Sequence, residues 1–164
     1  MTGFDALLEH VPALRRYARL LTGDTARADD LVQDTLERAH RKGALWREGS
    51  MRSWLLTLMH NLHLNQRRDQ RLEVQAADDA TEAAHDPTPR LGVRLDLVQA
   101  LERLSPQARA VLLLVTVEEY SYAEAAAILD VPIGTVMSRL HRAREQLRHW
   151  MTEPEQPPVR LVKP

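Results

Sequence analysis

The chain has 164 residues, with 22 Lys and Arg against 23 Asp and Glu, and no cysteine. The missing cysteines exclude disulfides, thiolate metal ligands and cysteine nucleophiles. No run approaches the roughly 18 apolar residues of a membrane helix, and the first residues lack the basic-then-apolar order of a signal peptide, so a cytoplasmic protein with no membrane attachment is expected.

The net charge of −1 is unevenly spread. Residues 1–72 carry twelve basic against nine acidic side chains, and residues 73–90 carry one basic against five acidic. From Ile133 to Trp150 four arginines face one acid. Attraction to phosphate is local, screened beyond roughly 8–10 Å, so a near-neutral total leaves nucleic-acid contact open.

Phe4, Leu7, Val11, Leu14, Ala18 and Leu21 recur at a helical period and predict one helix. Thr22-Gly23 stops it, with Gly23 suited to the left-handed position after a helix. Asp24 or Thr25 caps a second helix with the stripe Ala28, Leu31, Val32, Thr35, Leu36, Ala39. A loop from Gly43 to Gly49 holds Trp46, which either stacks on a base or caps the bundle. A third helix starts near Ser50, buries Met51, Trp54, Leu55, Leu58 and Leu62, and ends in the polar tract Asn65 to Arg71. Residues 73–92 read as an acidic, proline-containing linker with too little apolar surface to offset ordering. Helical spacing returns at Leu95, Val98, Leu101 and Leu104, and Ser105-Pro106 restarts a helix whose body, Ala110 to Val117, is apolar nearly all round. The expected fold is all-α: helical domains at 1–72 and 93–152, a flexible linker at 73–92 and a flexible tail at 153–164.

The segment Tyr120 to Trp150 carries the most specific chemistry. Ser121 and Glu124 make a capping box at the start of a short helix. Asp130-Val131-Pro132 turns the chain into a second helix from about Ile133, the plan of a helix-turn-helix. Val136, Leu140, Ala143 and Leu147 face inward at three- and four-residue spacing, and Thr135, Ser138, Arg139 and Arg142 take another face. Hydroxyls near a helix start hold phosphates, and arginine bonds guanine with two donors in the major groove. Gly134 leaves backbone open to a phosphate. Any one of these arginines is as readily a solvated residue of an amphipathic helix; the arrangement as a whole argues for DNA.

The run from Ser121 to Arg144 resembles the region-four helix-turn-helix of extracytoplasmic-function sigma factors, and Leu104 to Leu114 resembles that domain's opening helices. The resemblance implies that Thr135, Ser138, Arg139 and Arg142 face the minus-thirty-five promoter element. Ala28 to Thr35 resembles the region-two segment that binds the β′ clamp helices of RNA polymerase, which gives Asp30, Gln33, Asp34 and Glu37 a polymerase-binding role. Ser53 to Leu62 resembles the family's minus-ten helix, with Met59-His60 where Ala-Arg is common. Asn61, Asn65, Arg67, Arg68 and Arg71 then inherit contact with the opened minus-ten element, amides for base edges and arginines for phosphates.

By this resemblance the chain is an alternative sigma subunit that binds core polymerase at the β′ clamp helices and the β flap, reads promoter DNA, and is held by an anti-sigma factor. A sigma-like decoy that sequesters an anti-sigma factor is the main alternative, and a plain helix-turn-helix regulator the other. No catalytic residue and no cofactor is expected. His60 and His63 lie three apart, but without carboxylate or thiolate support they make no metal site.

Overall fold

A computed structural model describes residues 4–43, 46, 49–76 and 93–152, and all regular structure among them is helical. The expected tail, most of the expected linker and part of the Gly43–Gly49 loop lie outside the described residues. The first domain comprises α1 (Phe4–Leu8), α2 (Val11–Thr22), α3 (Thr25–Lys42) and α4 (Met51–Ala76). The second comprises α5 (Val93–Arg103), α6 (Pro106–Thr116), α7 (Tyr122–Leu129) and α8 (Ile133–Thr152).

Local chemistry fixes most boundaries. Gly23 is left-handed at φ 71°, and Asp24 rather than Thr25 caps α3, its carboxylate accepting from the Arg27 amide at 2.8 Å. Ser105 caps α6 in the same manner, accepting from the Ala108 amide at 3.3 Å. Two boundaries differ from expectation. The single helix predicted from Phe4 to Leu21 is broken at Glu9–His10, because Pro12 offers no amide hydrogen and its ring collides with the carbonyl four residues earlier. The polar tract Asn65 to Arg71 does not end its helix but lies inside it, since α4 runs unbroken to Ala76.

In the first domain α3 packs between α2 and α4. Leu14, Tyr17 and Leu21 of α2, Leu31 and Thr35 of α3, and Leu55 and Met59 of α4 are fully buried. In the second domain Val111, Leu113 and Leu114 of α6 meet Val136, Leu140 and Ala143 of α8, and Ala125 lets α7 lie close against its neighbours. The two domains also pack on each other, α4 against α7 and α2 against α6, so their buried residues form one continuous core.

His60 and His63 are buried on the face of α4 turned toward the second domain, and His60 Nδ1 and His63 Nε2 have no hydrogen-bond partner among the described residues. Burial holds both imidazoles down to about 4 from the ordinary 6.5, with Arg139 adding to the effect at His60 and Arg67, His60 and Arg109 at His63. Both therefore sit neutral in the folded chain at pH 7. Between pH 6.5 and 4 the unfolded chain binds more protons than the folded one, so stability falls as pH drops through that window. Urea midpoints measured from pH 7 to pH 5 should decline, and His60→Leu with His63→Leu should flatten the decline. Ser121→Ala, which removes half of the capping box described below, should cost about 1 kcal/mol in the same titration at pH 7.

Candidate nucleic-acid interface

The helix-turn-helix is built as its local sequence requires. Ser121 Oγ accepts from the Glu124 amide at 3.2 Å, and the Glu124 carboxylate accepts from the Ser121 amide at 2.8 Å. Those bonds hold the exposed Glu124 carboxyl below the usual carboxylate range. At the other end of α7, Asp130 adopts the left-handed conformation at φ 53°, a position that a short polar side chain tolerates. The Val131 amide donates to Ala126 O at 3.1 Å, and Thr135 N donates to Pro132 O at 2.9 Å as α8 begins.

Of the four residues predicted to face the minus-thirty-five element, Ser138 and Arg142 are exposed, whereas Thr135 and Arg139 are half-buried. Ser138 Oγ donates to the Thr135 carbonyl at 3.1 Å, a bond that local backbone already provides. Nothing lies within 4 Å of a side chain built at Gly134, so internal packing does not demand glycine there and the backbone is open to an outside group. The sequence reading missed Ile133 and Met137, exposed apolar side chains one turn apart on α8 at 49% and 52%. Their i, i+4 spacing was the available signal, and it puts them on the flank of the inward stripe opposite to Ser138 and Arg142.

The five residues predicted for the minus-ten element divide into two stripes of α4. Asn61, Asn65 and Arg68 follow one exposed line, and Arg67 and Arg71 lie about a quarter-turn away. Arg67 and Arg71 line a cavity of about 770 Å³ between the domains, together with Arg27, Asp30, Asp34, His63 and Arg109. Partial burial, then Arg71 and Arg27, lower the basicity of Arg67. Burial also lowers that of Arg109, which Glu102 opposes, and Arg109 Nη1 donates to Leu21 O at 3.0 Å. Trp46 is exposed, and Trp54 packs half-buried against the core.

A second cavity of about 350 Å³ brings the two predicted reading surfaces together. Arg139 of α8 lines it with His60, Asn61 and Leu64 of α4, Gln107 and Ala110 of α6, and the turn at Asp130 and Val131. Sequence spacing gave no sign that Arg139 and Asn61 would share one space, because the helices that carry them are far apart in the chain.

On α3, Asp30, Gln33 and Glu37 are exposed along one face, and Gln33 Nε2 donates to Glu37 Oε1 at 3.2 Å. Asp34 departs from this group: it is half-buried and accepts from Gln66 Nε2 of α4 at 2.9 Å. The exposed three border a groove of about 480 Å³ between α2 and α3, with Val11, Val32 and Leu36 as its apolar lining. The described residues hold no cluster of His, Asp and Glu able to bind a metal ion, and none of their helices is long and apolar enough to cross a membrane.

Residues 94–147 match the family Sigma-70, region 4, and residues 7–60 match the Sigma2 domain of PhyR. The chain is 38% identical over 147 residues to the ECF RNA polymerase sigma factor EcfG of Rhodopseudomonas palustris, spanning 87% of this chain and 81% of that protein. Sigma factor RpoE of Bartonella quintana, solved in complex with the anti-sigma factor NepR, aligns with a TM-score of 0.76 at 36% identity, covering 90% of this chain and 94% of that one. The PhyR stress response regulator aligns with a TM-score of 0.55 at 31% identity, over 89% of this chain and 50% of that one. Similarity that runs through both helical domains and most of the relatives' length leaves one assignment: the chain belongs to the extracytoplasmic-function RNA polymerase sigma factors, the subunits that direct transcription to particular promoters.

Proposed function

We propose that this sigma factor docks on core RNA polymerase through the α2–α3 groove and then reads two promoter elements, the minus-ten with α4 and the minus-thirty-five with α8. The observation that carries this reading is the groove itself: an apolar floor rimmed by Asp30, Gln33 and Glu37 suits a partner helix bearing basic side chains. The β′ clamp helices are the proposed occupant, and the β flap the partner of the second domain. Residues 1–72 and 93–152 are the two working units in this reading, and residues 73–92 set their spacing. Joining two weak DNA readers through the polymerase raises their effective concentration, so neither needs to hold free DNA tightly. The polymerase supplies the chemistry, and this chain supplies position.

On α8, Arg139 and Arg142 serve as guanine readers, Thr135 and Ser138 as phosphate or base contacts, and the open backbone at Gly134 as a phosphate seat. On α4, Asn61 and Asn65 face unpaired bases while Arg67, Arg68 and Arg71 follow the strand. An anti-sigma factor is the proposed negative partner, by analogy with the complex of the Bartonella quintana relative. Cytoplasmic location follows from a polymerase-bound role.

A second reading, a decoy that occupies an anti-sigma factor without driving transcription, draws on the match of residues 7–60 to the PhyR domain. Run-off transcription with purified core polymerase on a promoter library separates the two. Starts that depend on the chain support the sigma reading, and anti-sigma binding without such starts supports the decoy. Arg139→Ala should weaken promoter binding by about 1–3 kcal/mol and relax preference at one minus-thirty-five position, as scored on single-base promoter variants. Glu37→Lys should reduce affinity for core polymerase by about tenfold or more while leaving the circular dichroism spectrum unchanged.

A further inference from the structure

Where α2 and α4 meet α6 and α7, charge is matched in one part of the seam and unmatched in another. Glu118, 4% exposed in the turn between α6 and α7, accepts from Arg52 Nη2 of α4. Arg16 Nη2 of α2 stands 3.9 Å from its other oxygen. The cavity of about 770 Å³ is different: it gathers Arg27 of α3, Arg67 and Arg71 of α4, and Arg109 of α6. Only Asp30 and Asp34 oppose them in its lining, and Asp34 already accepts from Gln66. Arg27, Arg67 and Arg71 form no ion pair with a described carboxylate.

Helical spacing keeps Arg67 and Arg71 neighbours, so their mutual repulsion is built in. The field is felt by the groups around them. After burial, Arg71 and then Arg27 lower the basicity of Arg67. Arg67 in turn acts on His63, after burial, and on Arg109, after burial and against Glu102.

The lining also has a buried part. Arg109 and His63 are each 8% exposed, and Arg109 Nε and His63 Nε2 have no hydrogen-bond partner among the described residues. Arg109 is held in place because its Nη1 donates to Leu21 O at 3.0 Å. A hydrated arginine face would account for the exposed cations but not for buried polar nitrogens left open beside them, which are costly.

The basic surface continues on the far side of Arg67 and Arg71. A neighbouring cavity of about 400 Å³ shares both, adds Arg68, and reaches Pro106 and Gln107 in the first turn of α6. Ser105 caps the Ala108 amide and Pro106 has no amide hydrogen, so Gln107 keeps the open donor of that turn. A helix start carries partial positive charge and adds to the pull on an anion.

This chemistry selects a ligand class. Guanidinium forks match pairs of phosphate oxygens. Two joined phosphates present enough oxygens for several forks, whereas one carboxylate has two oxygens to share. The volume suits a small molecule rather than a lone ion, and Gln33 and Gln70 line the same space with hydrogen-bonding amides.

We propose that the cavity at Arg27, Arg67, Arg71 and Arg109 binds a small phosphorylated ligand carrying a phosphoanhydride. The site goes beyond the promoter reading and does not require it, although the two share Arg67 and Arg71. A ligand seated there competes with the opened minus-ten strand for those two arginines.

Inorganic pyrophosphate is the probe, titrated calorimetrically into the full chain in phosphate-free buffer at fixed ionic strength. One site should be found, with orthophosphate about tenfold weaker and sodium chloride giving no saturable heat. Arg27→Gln and Arg71→Gln, both at exposed positions, should each weaken pyrophosphate about tenfold, and Arg71→Lys should fall between. Asp30→Asn removes an opposing charge and should tighten binding about two- to fourfold, a gain that damaged folding cannot imitate. In nitrogen-15-labelled protein, pyrophosphate should shift the His63 ring and Arg109 side-chain resonances while those of Arg16 and Arg52 stay in place. No saturable binding, or binding that Arg27→Gln and Arg71→Gln leave unchanged, overturns the site. Binding of a short single-stranded DNA by these arginines without binding of pyrophosphate assigns them to the strand alone and overturns it as well. The titration uses neither polymerase nor promoter, so this site and the sigma reading tested by run-off transcription fail separately.

Discussion

Two bundles of roughly sixty to seventy residues each bury too small a fraction of their surface to be comfortably stable alone. This chain meets that constraint by sharing burial: α2 rests on α6, α4 rests on α7, and the apolar interior runs without a break from Leu14 and Leu21 to Leu113 and Leu140. Much else follows from the shared core. The helix predicted to meet DNA shares its apolar side with the core of its own bundle, and part of its polar side faces the other bundle. Helix α3 uses its inner stripe of Leu31, Val32 and Thr35 for the same interior, which leaves Asp30, Gln33 and Glu37 outward by helical period alone.

The seam across the shared core also holds polar groups, and their chemistry decides what kind of seam it is. Leucines alone would give a contact with no preferred register and a large cost of separation. Glu118, Arg109, His60 and His63 change that balance, because each is buried and has lost water there. Glu118 finds charge partners across the seam, Arg109 finds a helix-terminal carbonyl, and the histidines are held neutral by burial. Glu118 and Arg109 thereby fix the register of the contact.

Legibility in the sequence followed the range of the interaction. The caps at Asp24, Ser105 and Ser121 and the left-handed turn at Gly23 were readable because donor and acceptor lie within three residues of each other. The inward stripe of α8 was readable because helical period is a local property. The break at Glu9–His10 was hidden because Pro12 fell between apolar positions that kept the period intact. Asp34 was grouped with its exposed neighbours because nothing local announces its bond to Gln66, thirty-two residues away. The Arg52–Glu118 pair, separated by sixty-six positions, was beyond any local pattern: Glu118 stands beside Glu119 in a loop and reads as an ordinary solvated acid.

The unbroken course of α4 has a mechanical meaning. Twenty-six residues make a rod of about 39 Å, stiff on this scale. Arg52 sits in its first turn, His60 and His63 near its middle, and Arg67, Arg68 and Arg71 toward its far end. A rod held at the middle transmits torque. Force applied at the arginine end, by a strand or by a partner protein, therefore reaches Arg52 about 20–30 Å away without any intervening change of conformation.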